Sequence, residues 1–306
     1  MVHAQLRQWS QIANESRQGG GVTKQAAKAR RVIGTLRLLL MRVVRNPQTQ
    51  ELGVQESYVE SRTGRLYGVG LTLQNVPKEL RKALFTTYTE WDFEACHAAI
   101  VAGYARKVGM PLQTLEFFAH SKAAIRRKMA EQLGLKISDV KTALTTLIYG
   151  ASISGEASTA LVDLLGQEKL SVLKTDPIFR EMADELQSIR PVMICNHSER
   201  SSRGSVIRNA LGKDVREADL RNGGPSAMAH IVQGYEAYIL DSLIRCLADH
   251  DGITREVCLI QHDGFTSRSS VLERLGSAID AIEADSRIGW RMELSHEVLH
   301  WHYPKT

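Results

Sequence analysis

A chain of 306 residues with 43% hydrophobic residues can bury a sizeable core, so one composite domain or two closely packed lobes are expected. Its four cysteines form no CxxC pair, which argues against a zinc ribbon and a disulfide framework. The most apolar stretch, residues 32–44, is interrupted by two arginines and is too short to span a bilayer. No signal-peptide pattern opens the chain, and we therefore expect a soluble protein of the cytoplasm.

Positive charge is concentrated at the start of the chain. Residues 1–50 contain nine Lys or Arg and a single acid, Glu15, within a chain of net charge +5. Such a segment indicates a polyanionic partner, with Arg30 and Arg31 as candidate nucleic-acid contacts; the alternative is a solvated helix face or a disordered tail around residues 19–21. An amphipathic helix is predicted over residues 23–44, ended by Asn46-Pro47. Its apolar face comprises Val32, Leu36, Leu39, Leu40 and Val43.

The rest of the chain alternates between strand and helix patterns. Residues 57–73 predict a hairpin around a Thr63-Gly64 turn, and residues 78–85 a short helix. A strand over 86–93 runs into a helix over 95–107. Helices follow over 121–133, 138–149, 156–165 and 177–189, with Pro191 as the stop. A strand over 205–210 and a long helix over 226–248 precede a hairpin, 257–261 with 264–267, and a final strand over 289–295. This order predicts an α/β fold.

Two aspartates lie at the ends of predicted strands, in Trp91-Asp92-Phe93-Glu94 and in Gln261-His262-Asp263-Gly264. Two carboxylates from distant strands can hold two divalent ions about 3.5–4 Å apart, as nucleotidyl transfer requires. Mg²⁺ is the preferred ion because it shares its coordination with phosphate oxygens and water. Lys141 precedes Tyr149 by about two helical turns on an intervening helix. The alternative is that both aspartates are surface acids or helix caps.

Five segments, in order over roughly residues 60–303, resemble the DNA polymerase I family (family A), which also includes relatives of the single-subunit phage RNA polymerases. Three motifs hold the catalytic candidates: Asp92 with the residues before it, the helix from Lys141 to Gly150, and Gln261-His262-Asp263. The two others are Thr63-Gly64-Arg65-Leu66 with Leu73–Pro77, and residues 204–213 with Gln233-Gly234.

This resemblance implies a right-hand polymerase. Its palm would comprise residues 55–107 and 204–306, its fingers residues 108–203, and a basic helical region, 1–54, would replace the thumb. Asp92 and Asp263 would bind two Mg²⁺, for which Mn²⁺ can substitute. Lys141 would meet the triphosphate, and Tyr149 would stack near the incoming base. The primer–template contacts would come from Arg65, Gln233, His230 and His262.

The chain departs from the family's motifs at three positions. His97 stands where the family has the glutamate that screens the sugar 2′ position, so sugar choice stays open. Ile137 replaces an arginine of the fingers helix, and Lys136, or Arg126 with Arg127, is the candidate substitute for that phosphate contact. Gly264 replaces a third carboxylate. The chain length leaves no room for a proofreading domain.

We therefore expect a monomeric DNA polymerase that works on a primer–template with nucleoside triphosphates and, in the cell, with replication accessory proteins. An RNA polymerase or primase is the first alternative, and a catalytically inactive nucleic-acid-binding replication factor is the second. A competing pattern, His296-Glu297-Val298-Leu299-His300, fits the HExxH pattern of zinc peptidases. Such a site needs both histidines on one helix face, but residues 290–295 alternate like a strand.

Overall fold

The computed structural model describes residues 24–45, 47, 50, 52–153, 160–201, 204–248, 256–268 and 271–299. A four-stranded antiparallel sheet, here called the central sheet, has the order β11-β5-β10-β9. Trp91 and Phe93 point into the core, and the alternation of the strand places Asp92 on the opposite face. The four strands are β5 (Thr89–Phe93), β9 (Val257–Ile260), β10 (Gly264–Ser267) and β11 (Leu294–Val298).

Helices cover the apolar face of the central sheet and form the main hydrophobic core with it. The longest, α9 (Gly224–Leu247), is buried on most of its surface, which explains its apolar sequence. The others are α2 (Lys78–Leu84), α3 (Cys96–Lys107), α4 (Gln113–Leu133), α5 (Ile137–Ile148), α6 (Ala160–Leu165), α7 (Gln167–Leu173), α8 (Pro177–His197) and α10 (Leu272–Ala284). The predicted helices are thus present, and α7 and α10 are additional; the first four residues of the helix predicted over 156–165 lie outside the described residues.

The basic N-terminal segment contains the predicted helix, α1 (Lys24–Met41), and lies against a second, smaller core. Val32, Leu36 and Leu39 are buried there, against Leu73, Val76, Leu80 and Leu259. Leu40 was predicted on this face but is 42% exposed. Val43 was assigned to the helix, but it starts β1 (Val43–Arg45), which pairs with β2 (Leu52–Val54). A β-branched Val-Val pair favours that extended backbone over another helical turn.

Two small sheets flank the core. The predicted hairpin is confirmed as β3 (Tyr58–Glu60) paired with β4 (Leu66–Gly68). Its turn requires glycine at position 64, where φ is +94° and a Cβ would overlap the Leu211 side chain. The second sheet has the order β6-β7-β8, with β6 (Ser198–Ser201), β7 (Gly204–Arg208) and β8 (Asp214–Arg216).

Several other predicted boundaries are wrong. Helix α4 begins at Gln113 rather than at residue 121, and β5 begins at Thr89 rather than at residue 86. Helix α8 does not stop at Pro191 but continues to His197, because Ile189 and Met193 on either side of the proline are both buried in the core. The final strand was predicted over residues 289–295, but β11 spans Leu294–Val298. Trp290 and Met292 alternate as in a strand but are buried outside it.

The HExxH segment is not helical in the described residues: His296 and Glu297 lie in β11, and His300 falls outside them. Strand neighbours point to opposite faces, so the helical geometry of a zinc peptidase is not formed. All four cysteines are free, as expected. Among the described helices, none is long and apolar enough to cross a membrane.

Candidate active site

Asp92 and Asp263 are brought together by the pairing of β5 and β10. The Phe93 N–H donates to the Asp263 carbonyl at 2.9 Å, and Gly264 is the register partner of Asp92. Both aspartates are half-buried and line one cavity of about 360 Å³. Residues 171 positions apart in sequence therefore present their carboxylates to the same cleft.

The electrostatics of the cleft are those of two like charges held close together. Burial and the negative charge of Asp263 raise the pKa of Asp92 to about 7, against the opposing effect of Lys122. Neither aspartate forms an ion pair within the described part of the chain. A cation bound between the two carboxylates would reduce their repulsion and thereby stabilise the folded protein.

Gly264 is a geometric requirement of this arrangement. A Cβ at this position would lie 2.0 Å from the Trp91 carbonyl oxygen. The strands β5 and β10 could not pair as closely with any other residue there. The close approach that joins the two aspartates is therefore incompatible with a third carboxylate at position 264.

Glu90, two residues before Asp92 on the same strand face, is engaged by neighbours. The Gln261 side chain donates to Glu90 at 2.9 Å, and Arg81 and Lys78 form ion pairs with it at 3.3 and 3.5 Å. Burial pushes the pKa of Glu90 upwards, but the Gln261 hydrogen bond and these two positive charges hold it below its ordinary value. Glu90 therefore has its charge compensated within the protein, in contrast to Asp92.

The donor set fits a divalent cation of the hard type. Asp92 and Asp263 offer carboxylate oxygens, and no cluster of three or more His, Cys, Asp or Glu side chains suited to a metal occurs among the described residues. Two carboxylates suit Mg²⁺ or Mn²⁺, which complete their coordination with water and phosphate oxygens, better than a metal that needs a full protein cage.

A second cluster, here called the Glu236 network, connects α9, α3, α5 and the β3–β4 hairpin. Arg65 forms an ion pair with Glu236, whose side chain is fully buried. The Nε2 atom of His97 lies 2.7 Å from Glu236 Oε2 and 3.0 Å from both Arg65 Nη2 and the Tyr149 hydroxyl. Tyr149 also hydrogen-bonds Gln233, and burial raises its pKa.

The position of His97 is set by a tight link to the Asp92 strand. Ala95 has φ +44° and ψ 37°, a left-handed conformation that is rare for a non-glycine residue. This turn lets α3 begin at Cys96, so His97 lies in the first turn of the helix. The carboxylate of Asp92 and the imidazole of His97 are thus fixed by one short segment.

The hairpin that carries Arg65 is anchored by Asn209, a buried residue that the sequence did not indicate. Asn209 Nδ2 donates to the Thr63 carbonyl at 3.0 Å, and its Oδ1 accepts from the N–H groups of Leu211 and Lys213. A Cβ at Gly234 would lie 2.4 Å from the Asn209 Cβ, so glycine permits this packing. Gly234 therefore makes room for Asn209, which in turn holds the turn that precedes Arg65.

Glu236 is the other residue that sequence reasoning missed. An acid within the buried run Ile231–Leu240 of α9 was the available signal, because such a residue needs a charged partner.

The remaining candidates lie in different surroundings. Lys141 and Lys136 are exposed on or beside α5. The ring centres of His262 and Tyr67 are 4.7 Å apart, and His262 lines a cleft together with Arg65. Burial lowers the pKa of His262. His230 is buried, with Nε2 3.0 Å from the Lys213 carbonyl, and a base contact would require loss of this interaction. Arg30 is exposed on α1, and the side chain of Arg31 falls outside the described residues.

No protein-family model matches the sequence, and no curated protein is significantly similar to it. Among solved structures, the chain is similar to the POL domain of Pol1 from M. smegmatis in complex with DNA primer-template and dNTP. The TM-score is 0.54 at 16% identity, over 89% of this chain and 51% of that chain. The chain thus spans about half the length of that structure, and the expected α/β polymerase-like fold is confirmed.

Proposed function

We propose that the chain is a template-dependent nucleotidyltransferase, and specifically a DNA-directed DNA polymerase without proofreading. The observation that carries this proposal is the placement of Asp92, on β5, and Asp263, directly before the paired strand β10, in one cleft. The likeness to a polymerase domain bound to primer-template and dNTP supports it. We further propose a palm of residues 55–107 and 204–306, fingers of residues 108–203 and a basic N-terminal region of residues 1–54.

The two carboxylates would hold Mg²⁺ or Mn²⁺, and the bound ions would activate the attacking 3′-hydroxyl and neutralise the leaving phosphate. Asp92 and Asp263 would fix the place of that reaction, because Asp92 lies on β5 and the backbone of Asp263, next to β10, is hydrogen-bonded to that strand at Phe93. Lys141, exposed on the fingers helix, would contact the triphosphate. Tyr149 and His97 would contact the base and sugar of the incoming nucleotide.

Primer and template would be bound by a separate set of residues. Arg65 belongs to the Glu236 network, Gln233 hydrogen-bonds its Tyr149, and His262 lines a cleft together with Arg65. We propose that these three residues contact the primer end. The seven Lys and Arg of residues 24–45, which include Arg30 and Arg31, are accompanied by no acid and suit the phosphate backbone. We also expect the protein to work in the cytoplasm.

Primer extension separates the proposed function from its alternatives. The purified chain would be incubated with Mg²⁺, a DNA primer–template and either deoxyribonucleotides or ribonucleotides, with an unprimed template in parallel. Extension with deoxyribonucleotides is the expected result. Ribonucleotide products, primed or unprimed, would instead indicate an RNA polymerase or primase, the alternative that His97 at the sugar position favours. Binding without incorporation would show an inactive replication factor.

A further inference from the structure

Helix α4 places two basic residues near Glu94, the second residue after Asp92. Lys122 and Arg126 are one helical turn apart and half-buried, whereas their neighbours Arg127 and Lys128 are exposed. The helix is kinked at Ser121, so Lys122 is the first residue of its second segment. The structure thereby distinguishes Arg126 from Arg127, which the sequence treated alike.

Lys122 connects this helix to the strand of Asp92. Its Nζ lies 2.7 Å from Oε2 of Glu94, the second residue after Asp92. Lys122 is therefore a cation within electrostatic range of the proposed reaction centre.

Arg126 has less compensation than Lys122. Its guanidinium carbon lies 5.4 Å from the centre of the Phe118 ring, and burial lowers its pKa. Its Nε is buried and has no hydrogen-bond partner among the described residues. Glu94 is the acid whose charge acts on it. Two cations thus depend on one carboxylate, which leaves net positive charge and an unused donor beside the cleft.

We propose that Lys122 and Arg126 bind the terminal phosphates of the incoming nucleotide, and that Glu94 neutralises them when the site is empty. The inference rests on the proposed function and deepens it. Ile137, which stands where the resembled family has an arginine, cannot contact phosphate, so other cations would have to do so. The Lys122–Glu94 pair is partly exposed, and such a pair is weak enough for a phosphate to displace it. A guanidinium presents its donors in the fork geometry that phosphate oxygens accept.

The test uses inorganic tripolyphosphate as the probe, without metal, in titration calorimetry on the full chain. The Lys122→Ala/Arg126→Ala double variant should bind tripolyphosphate about tenfold more weakly or worse, as for the loss of two charge-assisted contacts. The Arg127→Ala/Lys128→Ala variant loses the same two charges from the exposed side of the same helix. Its affinity should change by less than about twofold, the effect of screened surface charge.

Glu94→Gln should change the affinity for tripolyphosphate in the opposite direction. It removes the internal competitor, so tripolyphosphate should bind several-fold more tightly, whereas mere damage to the site would weaken binding. If the double variant fails to fold, this gain still tests the inference. Equal weakening in both double variants, weaker binding in Glu94→Gln or no binding by the wild type would each overturn it.

Primer extension by the same proteins keeps the two proposals apart. Tripolyphosphate binding that depends on Lys122 and Arg126, without any nucleotide incorporation, would contradict the proposed function but leave the anion site standing. Incorporation with an unchanged KM for nucleotide in the Lys122→Ala/Arg126→Ala variant would leave the function standing and refute the anion site.

Discussion

Asp92 and Asp263 carry like charges and form no ion pair within the described residues, whereas Glu236 is fully buried against Arg65 and His97. The first cluster is open to a cavity, whereas the Glu236 carboxylate at the centre of the second is fully buried. A charge that has no partner within the protein and faces an open cleft indicates that a ligand binds there. A buried charge that is paired within the protein indicates a structural role in positioning side chains. The four predictions below separate these two roles.

The largest effect is expected at the carboxylate pair. Asp92→Asn or Asp263→Asn should reduce nucleotide incorporation on the order of 10³-fold or more, as for the loss of a group that acts mainly in the transition state. Duplex binding should persist, since the proposed contacts with the duplex are made by basic residues and not by the two aspartates. Extension and binding would be measured on the same preparations. Asp163→Asn, at an exposed position of α6, is the matched control, and equal rates in all three variants would refute the assignment.

The Glu236 network should contribute mainly to stability. Glu236→Gln leaves Arg65 buried without its counter-charge and should lower the free energy of unfolding by about 3 kcal/mol, as for other broken buried pairs. Asp241→Asn removes an exposed ion pair with Arg245 on the same helix and should leave the free energy of unfolding almost unchanged. Urea unfolding measures both. Equal losses would show that Glu236 is not the anchor of a buried network.

In metal-free protein, replacement of Asp92 should raise the free energy of unfolding, whereas replacement of Glu236 should lower it. The Asp92 pKa of about 7 exceeds the unfolded value of 3.8, so the folded state binds the proton more tightly. The free energy of unfolding should then fall as the pH rises from about 4 to 7. At pH 8 in chelator, Asp92→Asn should be more stable than wild type by about 1–2 kcal/mol once solvent screening is allowed for.

Thermal unfolding with and without Mg²⁺ checks the stability prediction for Asp92. If the folded carboxylate pair binds Mg²⁺ as proposed, the ion should stabilise the wild type more than Asp92→Asn. A destabilised Asp92→Asn variant would show that the two carboxylates do not repel each other in the folded protein.

The last prediction concerns sugar choice. His97 is held by Glu236 and Tyr149, and we expect its fixed imidazole to crowd a 2′-hydroxyl. His97→Gly should raise ribonucleotide use relative to deoxyribonucleotide use by about 1–3 kcal/mol of discrimination. The measurement is the ratio of incorporation efficiencies for matched nucleotides in both proteins. A wild-type preference for ribonucleotides that disappears in the variant would reverse the assigned role of His97.

The sequence predicted the elements that have strong local signals. The structure has the expected alternation around Asp92, the Thr63-Gly64 turn and the hairpin whose second strand begins at Gly264. These features are predictable because turn glycines and two-residue periodicity act over short distances. The continuation of α8 through Pro191 was not foreseen, since burial of Met193 on the far side of the proline depends on tertiary packing.

The site was predictable in part for the same reason. Motifs located Asp92 and Asp263, but the contact of Arg65 with Glu236 joins positions 171 residues apart and has no local pattern. The inward direction of Arg126 and the outward direction of Arg127 also depend on how α4 packs, although the two residues are adjacent in sequence. Roles that depend on side-chain direction therefore required the three-dimensional arrangement.

Gly264 also restricts how this sheet can change by mutation. Any side chain at that position would overlap the Trp91 carbonyl, so a single substitution that adds an acid would separate β5 from β10 before it could bind a cation. A third carboxylate would be tolerated only after a compensating shift in the backbone of β5. Evolution or design towards a three-acid site thus requires two coupled steps, and the first step alone would separate Asp92 from Asp263.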